Sequence, residues 1–247
     1  MLDSVAERFS SPERDQFVVE GRWAVEALLE SGKYEVTSIL KAEGSYPGFE
    51  DRDLHSAELL VAPKQAISQM LGYPFHRGLL ALAKRPDSVN SLPRNLTGLF
   101  VTCPEIADES NLGAIIRTAA ALGASGMVLQ KDRGADVYSR KAIRTSSGAV
   151  FRFPVYEVAD LESEIRQLKK SEFTVLATAL RNESVALHEV PLRRNTLVMF
   201  GPEKDGLSET WLKLCDTTVE IPMANGMDSL NVAASAAIVL YQLLRRE

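Results

Sequence analysis

The chain has 247 residues, 45% of them hydrophobic and 25% charged, and a formal net charge of −5 at pH 7. That length has room for one large domain or, more readily, two, and the charge balance argues against a protein that coats nucleic acid nonspecifically. No stretch reaches the roughly 18 apolar residues of a membrane span, and the opening MLDSVAERFS lacks the basic start and apolar run of a secretory leader, so a cytoplasmic protein without a membrane anchor is expected.

Residues 1–16 read as a polar lead-in. Phe17 to Val19 is a strand, and Gly21 to Ser31 an amphipathic helix with Trp23, Val25, Leu28 and Leu29 facing inward and Gly32 as its stop. Val36 to Leu40 and Glu58 to Val61 are further strands, Lys64 to Leu71 a short helix, and Leu79 to Ala83 a last strand. Alternation on this scale suggests a small α/β sandwich, with nothing catalytic in it. Arg85 to Pro93 has the prolines and polar residues of a linker. The expected division is therefore an N-terminal domain over residues 1–90 and a second over 94–247.

The second domain opens with a strand from Thr97 to Thr102, a helix from about Asn111 to Leu122 and a strand from Gly126 to Gln130. This βαβ unit implies a parallel sheet. Asn111 stands at the helix entry, where its side chain can cap. Gly113 and Arg117 share a helix face, and helical side chains lean toward the N-terminus, so the Arg117 guanidinium is carried over Gly113 toward the free N–H groups of the first turn. A cation there makes an anion site suited to a phosphate. A glycine in the helix interior costs about 0.5–1 kcal/mol relative to alanine, a loss that some close approach should offset.

Residues 1–93 carry 10 basic and 14 acidic side chains, and 94–247 carry 18 and 19. Within the second part Lys131, Arg133, Arg140, Lys141, Arg144 and Arg152 stand against only Asp132 and Asp136. That run is a phosphate-facing patch or, equally on charge alone, a solvated face. A basic helix end and Ser/Gly turn follow at Lys141 to Ala149, then a strand from Phe151 to Tyr156, a helix from Asp160 to Lys170 and a strand from Phe173 to Ala179.

Leu197 to Phe200 is a short strand that ends in GPEKDGLSE, residues 201–209, with a helix starting near Ser208. Val219 to Pro222 is another, closed by a proline that cannot donate to a ladder. Ala224-Asn225-Gly226 is turn chemistry. Asp228 or Ser229 can cap the helix that follows, which is apolar or small at almost every position from Leu230 to Leu244. Such a helix is expected to be buried on most sides, by its own domain alone or with a second subunit. Ser229 and Asn231, polar at its mouth, need partners.

Ligands of open parallel sheets gather beyond the carboxyl ends of the strands, so the loops at Asn111, Gly201 and Ala224 are expected to converge on one pocket, with Arg117 beside Ser229 and Asn231. Other sites drop out. Gly123-Ala124-Ser125-Gly126 precedes a strand instead of following one, so it is no dinucleotide fingerprint, and no GxxxxGK[ST] is present. Cys103, Cys215 and three scattered histidines lack metal-ligand spacing, so neither a metal nor a disulfide is expected.

The three loops together resemble the SpoU family of RNA ribose 2′-O-methyltransferases, within the SPOUT class. The family's first motif matches Asn111, Gly113 and Arg117; its second, G-x-E-x-x-G-L, matches Gly201, Glu203, Gly206 and Leu207; its third matches Ile221, Pro222, Met223, Ser229, Leu230, Asn231 and Val232. Ser147-Gly148-Ala149 ahead of Pro154 is similar to a further family feature, and residues 17–85 look like the ribosomal-protein-like domain often found ahead of the catalytic one. Lys204 and Ala233 depart from the usual Gly and Ser, which puts substrate choice in question.

The resemblance implies an α/β, trefoil-knotted, parallel-sheet methyltransferase domain behind a small α/β RNA-binding domain. It implies S-adenosylmethionine bound near Gly201, Gly206, Ile221, Met223 and Leu230, a homodimer whose interface builds the site, and a catalytic set of Arg117, Asn111, Glu203, Ser229 and Asn231. Arg117 would act as base or as charge stabiliser, Asn111, Ser229 and Asn231 would orient, and Glu203 would join a hydrogen-bond network in its loop. The expected activity is 2′-O-methylation of a ribose in structured RNA, ribosomal RNA ahead of transfer RNA. The alternative is a catalytically silent RNA-binding or ribosome-assembly factor on the same fold; a small-molecule-binding α/β protein is disfavoured by the extra N-terminal domain.

Overall fold

Two runs of alternating strands and helices each build a separate sheet. The structure, a computed structural model, describes residues 8–87, 89, 91–202, 204–227 and 229–245. The chain divides into two units: the described residues of Met1–Asp87 together with Tyr138–Arg152, and those of Ser88–Val137 and Phe153–Glu247. Among the described residues no helix is long and apolar enough to cross a membrane.

In the first unit β1 (Gln16–Glu20), α1 (Arg22–Ser31), β2 (Val36–Ala42), β3 (Glu58–Ala62), α2 (Lys64–Leu71) and β4 (Leu79–Lys84) follow the expected order. The four-stranded sheet runs β1-β4-β2-β3, antiparallel except for the β2–β3 pair. Val18, Leu40, Ile67, Phe75, Leu80 and Leu82 form its core. Trp23 does not join them, contrary to the sequence expectation, and is 80% exposed. At about 100° per residue it falls on the face of α1 opposite Val25, Leu28 and Leu29, which are buried. The later segment adds α4 (Arg140–Thr145) and a 3₁₀ turn at Ala149–Phe151, where a strand start was expected. Tyr138 and Phe151 pack on Phe17 with ring centroids 4.9 and 6.1 Å away.

The second unit contains β5 (Leu99–Thr102), α3 (Glu109–Leu122), β6 (Gly126–Gln130), β7 (Val155–Val158), α5 (Leu161–Lys170), β8 (Thr174–Thr178), β9 (Val185–Ala186), β10 (Thr196–Met199), α6 (Glu209–Leu212), β11 (Thr217–Glu220) and α7 (Val232–Leu244). Every strand pair in its seven-stranded sheet, β7-β6-β5-β10-β8-β11-β9, is parallel. Phe100, Val128, Ile165, Phe173, Val175 and Leu197 are among the buried residues of its core. From β5 the chain first winds outward through β6 and β7, then crosses to β8 and returns to place β10 beside β5. Neighbouring strands whose connections leave in opposite directions open a crevice at their carboxyl ends, and the β5–β10 pair is such a place.

Helix caps differ from expectation at both ends of the candidate site. Asp108, not Asn111, caps α3, accepting from the N–H groups of Ser110 and Asn111 at 2.6 and 3.1 Å. Asn231 caps α7, accepting from Ala233 and Ala234 at 2.9 and 3.4 Å. Ser229 is not the cap, and Asp228 lies outside the described residues.

Asp160 caps α5 through a 3.0 Å bond from the Ser163 N–H, ahead of acidic residues in the first turn and lysines in the last. Asp160→Ala should therefore cost about 1 kcal/mol, read as a lower urea midpoint at unchanged slope; an unmoved midpoint would show that the cap contributes nothing.

Candidate active site

The loops that leave β8, β10 and β11 at their carboxyl ends enclose a cavity of about 200 Å³. Gly201, Gly206, Ile221, Met223, Ser229 and Leu230 all line it, so the five positions expected to hold the donor and one of the polar residues share one space. Its walls are mostly apolar side chains and backbone, with Glu220 as the charged group among the described residues. Glu203 lies outside the described residues.

Backbone proximity explains the glycine at 201. A Cβ there would stand 2.6 Å from the Leu207 nitrogen and 2.8 Å from the Gly206 carbonyl carbon, because the 201–207 loop doubles back on its own start. Gly206, at φ 63°, supplies the left-handed turn that reverses it. A third strand of support comes from Glu105, whose carboxylate accepts from the Ser208 N–H at 3.2 Å and ties the loop after β10 to the loop after β5.

The same cavity is lined by Thr178, Ala179 and Leu180, which the sequence reading missed. They follow β8, neighbour of both β10 and β11, and their position beyond a parallel strand was the available signal. Ser184 closes that turn, donating to the Ala179 carbonyl at 2.8 Å and accepting from the Arg181 N–H at 3.1 Å. Arg181 also pairs with Glu209.

At the mouth of α7, the Asn231 side-chain amide donates to the Asn111 carbonyl oxygen at 3.1 Å. Two of the expected polar residues, 120 positions apart, are thus brought into contact. Arg117 does not line this cavity within the single chain. It stands in an adjoining groove of about 720 Å³ with Leu122, Leu187, Pro222, Ile238 and Tyr241, and Ile221 borders both spaces. Helix α7 is less buried than expected: Val232, Ala236, Val239 and Leu240 are covered, whereas Ile238 is 41% and Tyr241 67% exposed.

Burial pushes the Cys103 and Cys215 thiols up to about 12, so neither supplies a thiolate nucleophile near neutral pH. Among the described residues no three His, Cys, Asp or Glu side chains gather into a group that could hold a metal ion.

Comparison with known proteins follows the same residues. The SpoU rRNA Methylase family profile matches residues 98–241. A protein of Synechocystis described as an uncharacterized tRNA/rRNA methyltransferase is 39% identical over 60% of this chain, and the match spans only 38% of that protein. The 23S rRNA (guanosine-2′-O-)-methyltransferase RlmB of Acinetobacter baylyi is 28% identical over 92% of this chain and 96% of its own length. The crystal structure of the SpoU methyltransferase AviRb from Streptomyces viridochromogenes with AdoMet shares the fold, with a TM-score of 0.81 at 24% identity, covering 98% of this chain and 96% of that one.

Gly201→Ala should open the 201–207 turn and lower stability by about 1–3 kcal/mol, as overpacking does. A thermal transition equal to wild type would mean that the loop yields freely.

Proposed function

The chain belongs to the SpoU rRNA Methylase family, and from that membership we propose that it transfers the methyl group of S-adenosylmethionine to a ribose 2′-hydroxyl of structured RNA, ribosomal RNA ahead of transfer RNA, in the cytoplasm. The observation that carries the proposal is the single cavity shared by Gly201, Gly206, Ile221, Met223, Ser229 and Leu230. Support for ribosomal RNA comes from the Acinetobacter relative, which matches along nearly its whole length.

The cavity suits the donor in kind. Apolar walls at Leu180, Ile221, Met223 and Leu230 fit an adenine ring, and the backbone of the two glycine-bearing loops offers hydrogen bonds in place of charged side chains. When bound, S-adenosylmethionine supplies an electrophilic methyl group. The chain's own residues do the rest, chiefly by placing the hydroxyl in line. Asn231 and Asn111 hold each other and the start of α7, and Ser229 lines the cavity beside them. Arg117 is a permanent cation and a poor base; its role is to stabilise negative charge developing on the ribose oxygen, or to grip the adjacent phosphate. Glu203 is kept in this set on the sequence motif alone. The methyltransferase domain is the second unit, which takes in the expected span of residues 94–247 except for Tyr138–Arg152, and the first unit binds RNA. The family reading also carries a trefoil knot in the C-terminal segment.

The site is completed by a second copy of the chain. Ile238 and Tyr241 present apolar surface along the groove that holds Arg117, and a self-complementary pairing of these faces covers them and brings each Arg117 toward the joint between subunits. The Ile238→Asp, Tyr241→Asp double variant should run as a monomer in light scattering and lose transfer; a dimer of wild-type affinity would remove this face from the interface.

Arg117→Ala should reduce transfer of radiolabelled methyl to ribosomal RNA by about 100-fold or more, with S-adenosylmethionine binding by calorimetry retained. Equal turnover by variant and wild type would take Arg117 out of the mechanism.

A further inference from the structure

We propose that the first unit carries a nucleotide-stacking site, in which Trp23 receives an unpaired base of the RNA while Arg77 and Arg144 hold its flanking phosphates. The inference rests on the reading that the chain acts on RNA, and it assigns that contact to a face outside the donor cavity.

Trp23 lies outside the core of its unit. The core side of α1 is made by Val25, Leu28 and Leu29, and the indole projects on the opposite side, 80% exposed. An exposed indole is a costly surface for a monomeric unit to present unless something covers it. Its surroundings are cationic. One cavity of about 410 Å³ is lined by Trp23, Arg22, Tyr46, Arg77 and Arg144, and a second of about 290 Å³ by Arg77, Arg140, Lys141 and Arg144. Arg77 and Arg144 belong to both, and among the described residues Glu20 is the one acid lining either.

These cations divide by what they already do. Arg22 is bound to Glu26 at 2.8 Å and lies 5.4 Å over the Tyr46 ring. Arg140 donates to the Tyr73 hydroxyl at 2.6 Å and to the Phe9 carbonyl at 2.5 Å. Both are fixed parts of the floor. Arg77 and Arg144, by contrast, are exposed and form no ion pair among the described residues. Gly21 sets where Arg77 runs: a Cβ there would meet the Arg77 side chain at 3.2 Å, and its φ of 95° suits glycine. The arginine therefore crosses the start of α1, whose first turn has neither a side-chain cap nor an acidic residue. Free N–H groups and a guanidinium together favour an anion.

An aromatic face beside unengaged cations is the combination that binds single-stranded nucleic acid, since every base has a π-face and every linkage a phosphate. A duplex offers only its backbone to such a surface. An acidic peptide would pair with the arginines but would leave the indole bare.

Fluorescence can read the site directly, because Trp211 is buried at 3% exposure and Trp23 is the accessible indole. Full-length protein titrated with poly(A) or bulk ribosomal RNA should show saturable quenching, and a fully paired RNA duplex should not quench. Trp23→Ala should weaken retention of poly(A) and raise KM for ribosomal RNA by roughly ten- to a hundredfold, the range of one base–aromatic stack, with Trp23→Phe in between. Arg77→Glu with Arg144→Glu should flatten the dependence of binding on salt. S-adenosylmethionine binding should be unchanged in every variant, which reports an intact fold. Wild-type affinity and KM in Trp23→Ala, equal quenching by duplex, or quenching by polyglutamate but not RNA would overturn the proposal. Quenching without any methyl transfer by the wild type would instead count against the enzymatic reading and leave this site standing.

Discussion

The hydrogen bond between Asn231 and Asn111 is the constraint on which the candidate site depends. It fixes the start of α7 against the start of α3, and Asn231 meets it while using its carbonyl oxygen to cap its own helix. One amide thus sets both where the last helix begins and where the preceding loop ends. Because Ile221, Met223, Ser229 and Leu230 of that loop line one wall of the candidate cavity, the position of the wall follows from the cap. The opposite wall is fixed independently by Gly201, whose missing side chain lets the loop fold back to Leu207, and by the Glu105 tether to Ser208. A cavity made of two such walls needs little preorganisation from the ligand.

Electrostatics and packing are kept apart. The candidate cavity is mostly apolar, with Glu220 as its charged group among the described residues, whereas Arg117 stands beyond Ile221 in an open apolar groove. In the first unit, unengaged cations gather round an exposed indole. The family membership and the proposed RNA substrate give this separation its sense: a neutral-walled space for the donor, and charge where a polyanion arrives.

Much of this was legible from the sequence where the signal was local. Strands ending in Gly- or Pro-bearing loops betray themselves through backbone chemistry, so the loops after β10 and β11 were placed at strand ends, and the Lys64–Leu71 helix and Gly126–Gln130 strand have the expected limits. What depended on dihedral angles was not. In ADESN several residues can cap, and Asp108 is selected because its backbone, at φ −85° and ψ 112°, is extended while Asn111 is already inside the helix. Trp23 was misplaced because large aromatic residues are usually buried, although helical rotation alone puts it opposite Val25. The Thr178–Leu180 wall was missed because its side chains carry no distinctive chemistry and only sheet order brings them to the site.

The split composition of the first unit bears on how the chain emerges during synthesis. Phe17 and Tyr34 are ready within the first third of the chain, but the rings that cover them, Tyr138 and Phe151, are encoded after β5, α3 and β6 have already been made. Domains of a growing chain usually settle in order from the amino terminus. Here the amino-terminal sheet must wait, with an aromatic surface uncovered, for a segment from deep within the next unit, so the nascent chain spends that interval as a natural client for whatever shields apolar surface at the ribosome exit.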